Sequence, residues 1–385
     1  MNKIHKLEEV SKCLIKAVKQ RRKILKINSS VPYKNYNYEK IYKKNCENVI
    51  GYVPIPVGYV GPIKINNNLH NVPIATTEGA LISSLNRGCK VLSKNGINTV
   101  IEEIGMTRAP LIKTDSIQET MKIKTWLENN IDIVEDNFNK TTKYGKFKNL
   151  SFNQSGNYLH IRISATTGEA MGMNMLTKGA DSVIKLLLKE FNNFKIISLS
   201  GNYCTDKKNS AVNWILGRGK KVIAESIIDN TIINKYLHTN IDDLIELNIN
   251  KNLIGSNIAG TIGGFNSQAS NIVAGIFLAT GQDAGQIGTS SSAILNLEKY
   301  QENKLRATIT MPNIEVGTIG GGTHLSPQKE LLEFMNLNVN EEYKDGDRSR
   351  KLAEIIACTV LAGELSLLSA MCSSDLLNAH MKLNR

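Results

Sequence analysis

Residues 110–199 constrain the fold more tightly than any other stretch, because strand and helix periodicities follow one another there in a fixed order. LIKT at 111–114 is a short strand. Ser116 then offers a helix N-cap, with Glu119 at the capping-box position, ahead of MKIKTWLENN. A strand is expected near Lys146 to Phe152. From Tyr158 to Ala165 the period is two: Leu159, Ile161, Ile163 and Ala165 make one face, and Tyr158, His160, Arg162 and Ser164 the other. Ala180, Val183, Ile184, Leu187, Leu188 and Phe191 recur at helical spacing. FKIISLS closes the stretch as a strand. The order β-α-β-β-α-β is that of a ferredoxin-like split unit.

The 385 residues exceed one typical domain and point to two or three. Residues 1 to about 45 are basic and helical in pattern, with Val10, Leu14, Val18 and Ile24-Leu25 near helical spacing; Asn28-Ser29-Ser30 and Pro32 break it. IGYVPIPVGYVGPIK (50–64) reads as short extended segments and turns. GALISSLNRGCKVL reads as a helix with Ala80, Leu81, Leu85, Cys89 and Leu92 as its buried stripe. Residues 200–385 are Gly-rich and mixed α/β, with GTIGG at 260–264 and 317–321, and Leu352 to Met371 reads as a buried helix holding Glu364. The longest apolar stretch is taken as Ile272 to Ala279, about eight residues where a membrane span needs roughly 20. The amino-terminal residues carry acids and no sustained apolar core, unlike a secretory signal. Six cysteines without a C-x-x-C pair give no zinc-ribbon or redox motif and fit a reducing, cytoplasmic setting.

The net charge of +12 suits a polyanionic partner: nucleic acid, an anionic membrane or phosphate-bearing small molecules. A Lys- and Asn-rich solvated surface is the plainer account. The β-α-β-β-α-β order is shared with RNA-recognition modules, which need stacking aromatics on central strands. The 158–165 strand offers Tyr158 but then His160, Arg162 and Ser164, so nucleic acid is disfavoured.

No G-x-G-x-x-G follows a strand and no Walker A motif is present. The glycine clusters GTIGGFN and GTIGGGTH suit tight turns or close approach to a ligand. Glu78 in ATTEGAL lies where a turn meets a helix start among apolar residues. Partial burial there would raise its pKa and let it act as an acid near neutral pH; the alternative is a helix-start Glu favoured by the macrodipole. Asp206-Lys207-Lys208 after SGNYCT is either a solvated loop or the carboxyl end of a strand, where α/β ligand sites form. Asp283, after an apolar run, is either a helix cap or a site acid. His380 lies five residues from the carboxyl end. Spacing alone does not bring these groups together.

ENVIGYVPIPVG (47–58), ATTEGAL (75–81), SLNRGCK (84–90), GMTRAP (105–110), EAMGMNM (169–175), SGNYCTDKKNSAVNW (200–214), NINKNLIGS (248–256), GGFNSQASNIV (263–273), ATGQDAGQ (279–286), MPNIEVGTIGGGT (311–323) and the closing NAHMKLNR resemble 3-hydroxy-3-methylglutaryl-coenzyme A (HMG-CoA) reductase, class I, over nearly the whole chain. The resemblance implies an α/β (α+β) fold: an N-terminal helical region (1–45), a large substrate-binding domain around a long central helix (46–109 and 199–385), and an inserted ferredoxin-like small domain that binds NADPH (110–198). It implies reduction of HMG-CoA to mevalonate, an isoprenoid precursor, and coenzyme A, with two NADPH as co-substrate and no metal. It also implies a homodimer or dimer of dimers with shared active sites, to which ENVIG contributes. By motif, Lys207 would polarise the carbonyl, Glu78 donate a proton, Asp283 tune both, and His380 protonate the leaving thiolate. Arg108, Ser200, Asp206, Lys208, Lys251 and Asn271 match positions that hold the hydroxymethylglutaryl group. Glu169, Met173 and Asn174 match the nicotinamide-side motif. Thr142, Lys143 and Tyr144 match the segment reading the 2′-phosphate, and Arg385 also falls on the cofactor side. Glu169 stands where Asp is usual, and Ala379 where serine is common. No serine follows Arg385, so phosphorylation control there is not expected. An NAD-dependent enzyme of the same family, oxidising mevalonate, is the neighbouring possibility; Lys143 argues against it.

Overall fold

The structure is a computed structural model that describes residues 4–11, 13–337 and 345–373. β1 (Val57–Ile65) and β2 (Asn68–Ala75) pair as an antiparallel ribbon. A larger sheet contains β3 (Asn98–Arg108), β4 (Leu111–Thr114), β5 (Lys146–Ser155), β6 (Tyr158–Thr166), β7 (Phe194–Ser198), β8 (Gly219–Asp229), β9 (Gly264–Phe265), β10 (Ala293–Tyr300) and β11 (Lys304–Ile314). Its order is β7-β4-β6-β3-β8-β11-β10-β9, with β5 on the other edge of β6. The four strands expected between 110 and 199 therefore run β7-β4-β6-β5, every neighbouring pair antiparallel. That is the order of a ferredoxin-like split unit.

β3 joins this unit to the rest. Asn98 to Gly105 pair with β8, and Met106 to Arg108 pair with β6. The change of partner falls at Gly105, whose φ is +93°; a Cβ there would meet Ala165 O at 2.7 Å. Only glycine relieves both constraints.

The local signals explain most of the flanking elements. Ser116 caps the helix Ile117–Asn129 by accepting from Glu119 N. The Glu119 carboxylate accepts from Asp115 N–H, one residue earlier than a capping box requires. A separate helix, Ile131–Asn139, follows Asn130, in a stretch where the sequence pattern suggests no element. In the helix Met173–Glu190, Ala180, Val183, Ile184 and Leu187 are buried as expected, but Leu188 is 42% exposed. Leu187 already occupies the core-facing position, and successive residues point 100° apart. These side chains close over Phe138, Leu159, Ile161 and Ile163 in one apolar core.

β6 departs from the half-buried expectation. Arg162 and Ser164 are buried, because Arg162 donates to Gly217 O and Ser164 to Ile104 O. The segment leading into β8 covers the face that would have met water. The N-terminal helix Leu14–Ile24 also differs. Val10 falls in a separate short helix, Leu7–Ser11, and is 72% exposed; Ile24 and Leu25 are exposed, and the buried face of Leu14–Ile24 is Ala17, Val18, Arg21 and Arg22. Arg21 donates to Ile4 O, Val49 O and Glu8, and Arg22 to Ile50 O and Asn28 O. A guanidinium can be buried when oxygens meet its N–H groups.

A second, larger core surrounds the helix Asp347–Cys372. This corrects the expectation that no stretch is long and apolar enough to span a membrane. The helix passes on length and composition, yet 83% of its apolar window is buried within the protein. It packs against the helices Leu81–Asn95 and Ala269–Thr280. At the first contact a Cβ on Gly88 would sit 1.9 Å from Ala362 O, so the two backbones touch. Gly88→Ala is expected to destabilise the fold by on the order of 3 kcal/mol, since neither helix backbone can yield. Chemical denaturation measures this, and an unchanged midpoint would contradict the packing.

Candidate active site

Lys207 lies in the loop between β7 and β8, with its backbone in the left-handed region (φ +59°). Its ammonium meets Asp283 Oδ2 at 2.9 Å, with the lysine side chain 50% exposed. Asp283 is held by its own turn: it precedes the short 3-10 turn Ala284–Gln286, and its Oδ1 accepts from Gly285 N. The hydrogen bond to Asp283 raises the Lys207 pKa above its ordinary value, so the ammonium stays charged at neutral pH.

Asp206 points the other way. Its Oδ1 accepts from Arg218 at 3.0 Å and Gln286 at 2.8 Å, and Arg108 stands 4.0 Å from its Oδ2. Burial pushes its carboxyl up, but the Gln286 hydrogen bond and the Arg218 and Arg108 charges outweigh this and leave it below the usual range. Arg108, at the end of β3, donates to Thr177 Oγ1 and to Ser200 Oγ. Lys208 donates to Asp206 O. The structure thus gathers Arg108, Ser200, Asp206, Lys207, Lys208 and Asp283.

The sequence reading passed over Arg218, Glu315 and Gln286. Arg218 is fully buried; it donates to Glu315 Oε2 at 2.5 Å, Thr107 Oγ1 at 2.8 Å and Asp206. Burial pushes the Glu315 carboxyl up to about 7 although the Arg218 charge opposes it. For Arg218 and Glu315 the available signal was a single charge inside each of the apolar, glycine-bearing runs ILGRG and NIEVG.

Beside Asp283 opens a cavity of about 380 Å³, lined by Met171, Met173, Asn174, Asp283, Gly317 and Gly320 among others. Glycine makes its walls possible. A Cβ on Gly317 would lie 2.5 Å from Met171 N, so here the second GTIGG lets backbone approach backbone, whereas Gly320 (φ +85°) has open space beside it. Met173 and Asn174 open the helix Met173–Glu190. Thr142 Oγ1 lies 3.4 Å from Met175 Sδ, which sets the exposed Lys143 and Tyr144 near that helix start.

Three expectations land elsewhere. Glu169 is buried behind the cavity rather than lining it. Its carboxylate accepts from Arg348 N and Ser349 N, the first turn of the central helix, and from Thr318 Oγ1. Glu78 is exposed rather than partly buried, because the helix begins only at Leu81 and Glu78 stays in the preceding turn; its N–H is held by Thr76 Oγ1. Lys251 and Asn271 lie outside that bonded set. Lys251 sits in an eight-residue π-helix, Asn248–Gly255, and Asn271 in the first turn of Ala269–Thr280. No hydrogen bond or ion pair joins either to Lys207 or Asp283 among the described residues. His380 and Arg385 lie outside the described residues.

A family model described as hydroxymethylglutaryl-coenzyme A reductase matches residues 15–385. The 3-hydroxy-3-methylglutaryl-coenzyme A reductase of Drosophila melanogaster is 44% identical over 394 residues, covering 99% of this chain and 43% of that protein. That of Strongylocentrotus purpuratus is 46% identical over 360 residues, covering 92% and 39%. The chain spans less than half the length of these curated relatives. The fold resembles the class II 3-hydroxy-3-methylglutaryl-CoA reductase from Streptococcus pneumoniae bound to NADPH in open conformations: TM-score 0.69 at 18% identity, covering 99% of this chain and 89% of that one.

Replacing Asp283 by Asn should let the Lys207 pKa fall back toward its ordinary value, because its principal cause is removed. Side-chain NMR titration of Lys207 reads this directly, and an unmoved titration would show that the pair is not the cause.

Proposed function

The chain belongs to the hydroxymethylglutaryl-coenzyme A reductase family, and from that premise we propose that it reduces HMG-CoA to mevalonate and free coenzyme A, using two NADPH. One observation carries the reading: the cavity holding Met173 and Asn174 ends on Asp283, the partner of Lys207. A hydride donor lodged there would face a carbonyl held by an ammonium already fixed in place.

NADPH would supply hydride at the carbonyl carbon in each of two reductions. The Lys207 ammonium stabilises the oxygen that gains negative charge, and Asp283 keeps it cationic and oriented. Collapse of the first adduct expels the coenzyme A thiolate, which His380 protonates so that it does not return. In the second reduction the aldehyde oxygen takes a proton from Glu78. Arg108, Ser200, Asp206 and Lys208 hold the hydroxymethylglutaryl group from one side, and Lys251 and Asn271 from the other. Since no hydrogen bond or ion pair joins these two groups among the described residues, a homodimer that pairs them across its interface would complete the site. Exposed Lys143, with Thr142 and Tyr144, would receive the 2′-phosphate. Glu169 contributes from behind, by tying the segment that leads into the helix begun by Met173 to the start of the central helix.

The domain division into 1–45, 46–109 with 199–385, and 110–198 is supported by three separate buried clusters. A cytoplasmic setting fits six cysteines that are all free.

Purified protein should oxidise NADPH only when HMG-CoA is added, at two NADPH per mevalonate. Lys207→Ala should lower kcat by about 100- to 1000-fold. Preference for NADH in side-by-side assays would overturn the assignment of Lys143, and undiminished turnover by Lys207→Ala would overturn its role.

A further inference from the structure

We propose that Glu315 is a positioning residue for the substrate loop: through Arg218 it holds residues 202–208 in the conformation that presents Asp206 and Lys207. The inference rests on the reductase reading for its kinetic arm only. Asn202, Thr205 and Lys207 have φ of +65°, +51° and +59°. Three residues with a Cβ in the left-handed region within six positions is a disfavoured backbone that persists only when its surroundings over-determine it.

Besides the ion pairs of Lys207 with Asp283 and of Asp206 with Arg108, four side chains hold this loop by hydrogen bonds from outside. Arg218 and Gln286 donate to Asp206 Oδ1, Thr107 Oγ1 donates to Cys204 O, and Asn213 Nδ2 donates to Thr205 O. Two of the four depend on Arg218. It bonds Asp206 itself, and by donating to Thr107 Oγ1 it leaves that hydroxyl proton for Cys204 O. Arg218 in turn depends on Glu315. Both are buried, Glu315 is tied to the end of β11, and its N–H is held by Ser290 Oγ. The charged groups around the pair are Asp206, Asp283 and Arg162. Without Glu315 the buried cation keeps one partly exposed carboxylate and is free to turn toward water.

The test uses the full chain and two variants, Glu315→Gln, which keeps shape without charge, and Thr107→Val, which removes the relay hydroxyl and remains informative if the first does not fold. Amide hydrogen exchange is expected to rise at 202–208 and not across β8 and β11. The KM for HMG-CoA should rise roughly tenfold or more, with the KM for NADPH nearly unchanged. Glu315→Asp, which restores the charge, should recover part of both effects. Exchange unchanged at 202–208 in the folded variants, or raised uniformly over the sheet, would overturn the inference. An inactive parent would instead defeat the reductase reading, and the exchange arm would still decide this one.

Discussion

Burial of the Asp347–Cys372 helix is the constraint on which the other parts depend. A helix sunk in an apolar core cannot leave its polar groups to water, and its first N–H groups need acceptors. Glu169 supplies them at Arg348 and Ser349, and its backbone carbonyl accepts from Thr318 and Ile319. Midway, the Glu364 carboxylate accepts from Ser267 and Gln268, at the start of the helix that carries Asn271. Ser267 then bonds Asn252, beside Lys251 in the π-helix. The start of this buried helix and its inner Glu364 are therefore partnered by segments that carry candidate ligands, and that pairing helps to place those segments.

The site itself combines two electrostatic regimes. Lys207 and Asp283 stand at the cavity edge, where water moderates their attraction, and the pair orients the ammonium more than it stabilises the fold. Arg218 and Glu315 lie in the interior, where each charge is tolerable only because of the other. Asp206 bridges the two, taking the buried guanidinium with one oxygen and approaching Arg108 with the other. A half-exposed lysine is thereby carried on a loop whose root is anchored by a buried ion pair.

Legibility in the sequence followed the physics of each signal. The β-α-β-β-α-β order was readable because period-two and period-3.6 patterns are local, and the Ser116 cap because its partner is three residues away. Lys207, Asp206 and Asp283 stood out only through the motifs around them. Arg218 and Glu315 escaped notice because their partners lie 97 residues apart in the chain. The buried face of Leu14–Ile24 was misassigned because hydrophobic counting places arginine in water, whereas Val49 and Ile50 carbonyls meet Arg21 and Arg22.

By itself the sequence determined the elements, their order and the residue types available for chemistry, since those follow from side-chain volume, periodicity and short-range hydrogen bonding. Only the tertiary structure decided which charges meet. It turned Glu169 toward a helix end instead of the cavity, left Glu78 in the open, and, among the described residues, gave Lys251 and Asn271 no bond to Lys207. Those outcomes depend on where distant backbones approach, as at Gly88 against Ala362 and Gly317 against Met171. Close packing between remote segments leaves no periodic trace along the chain.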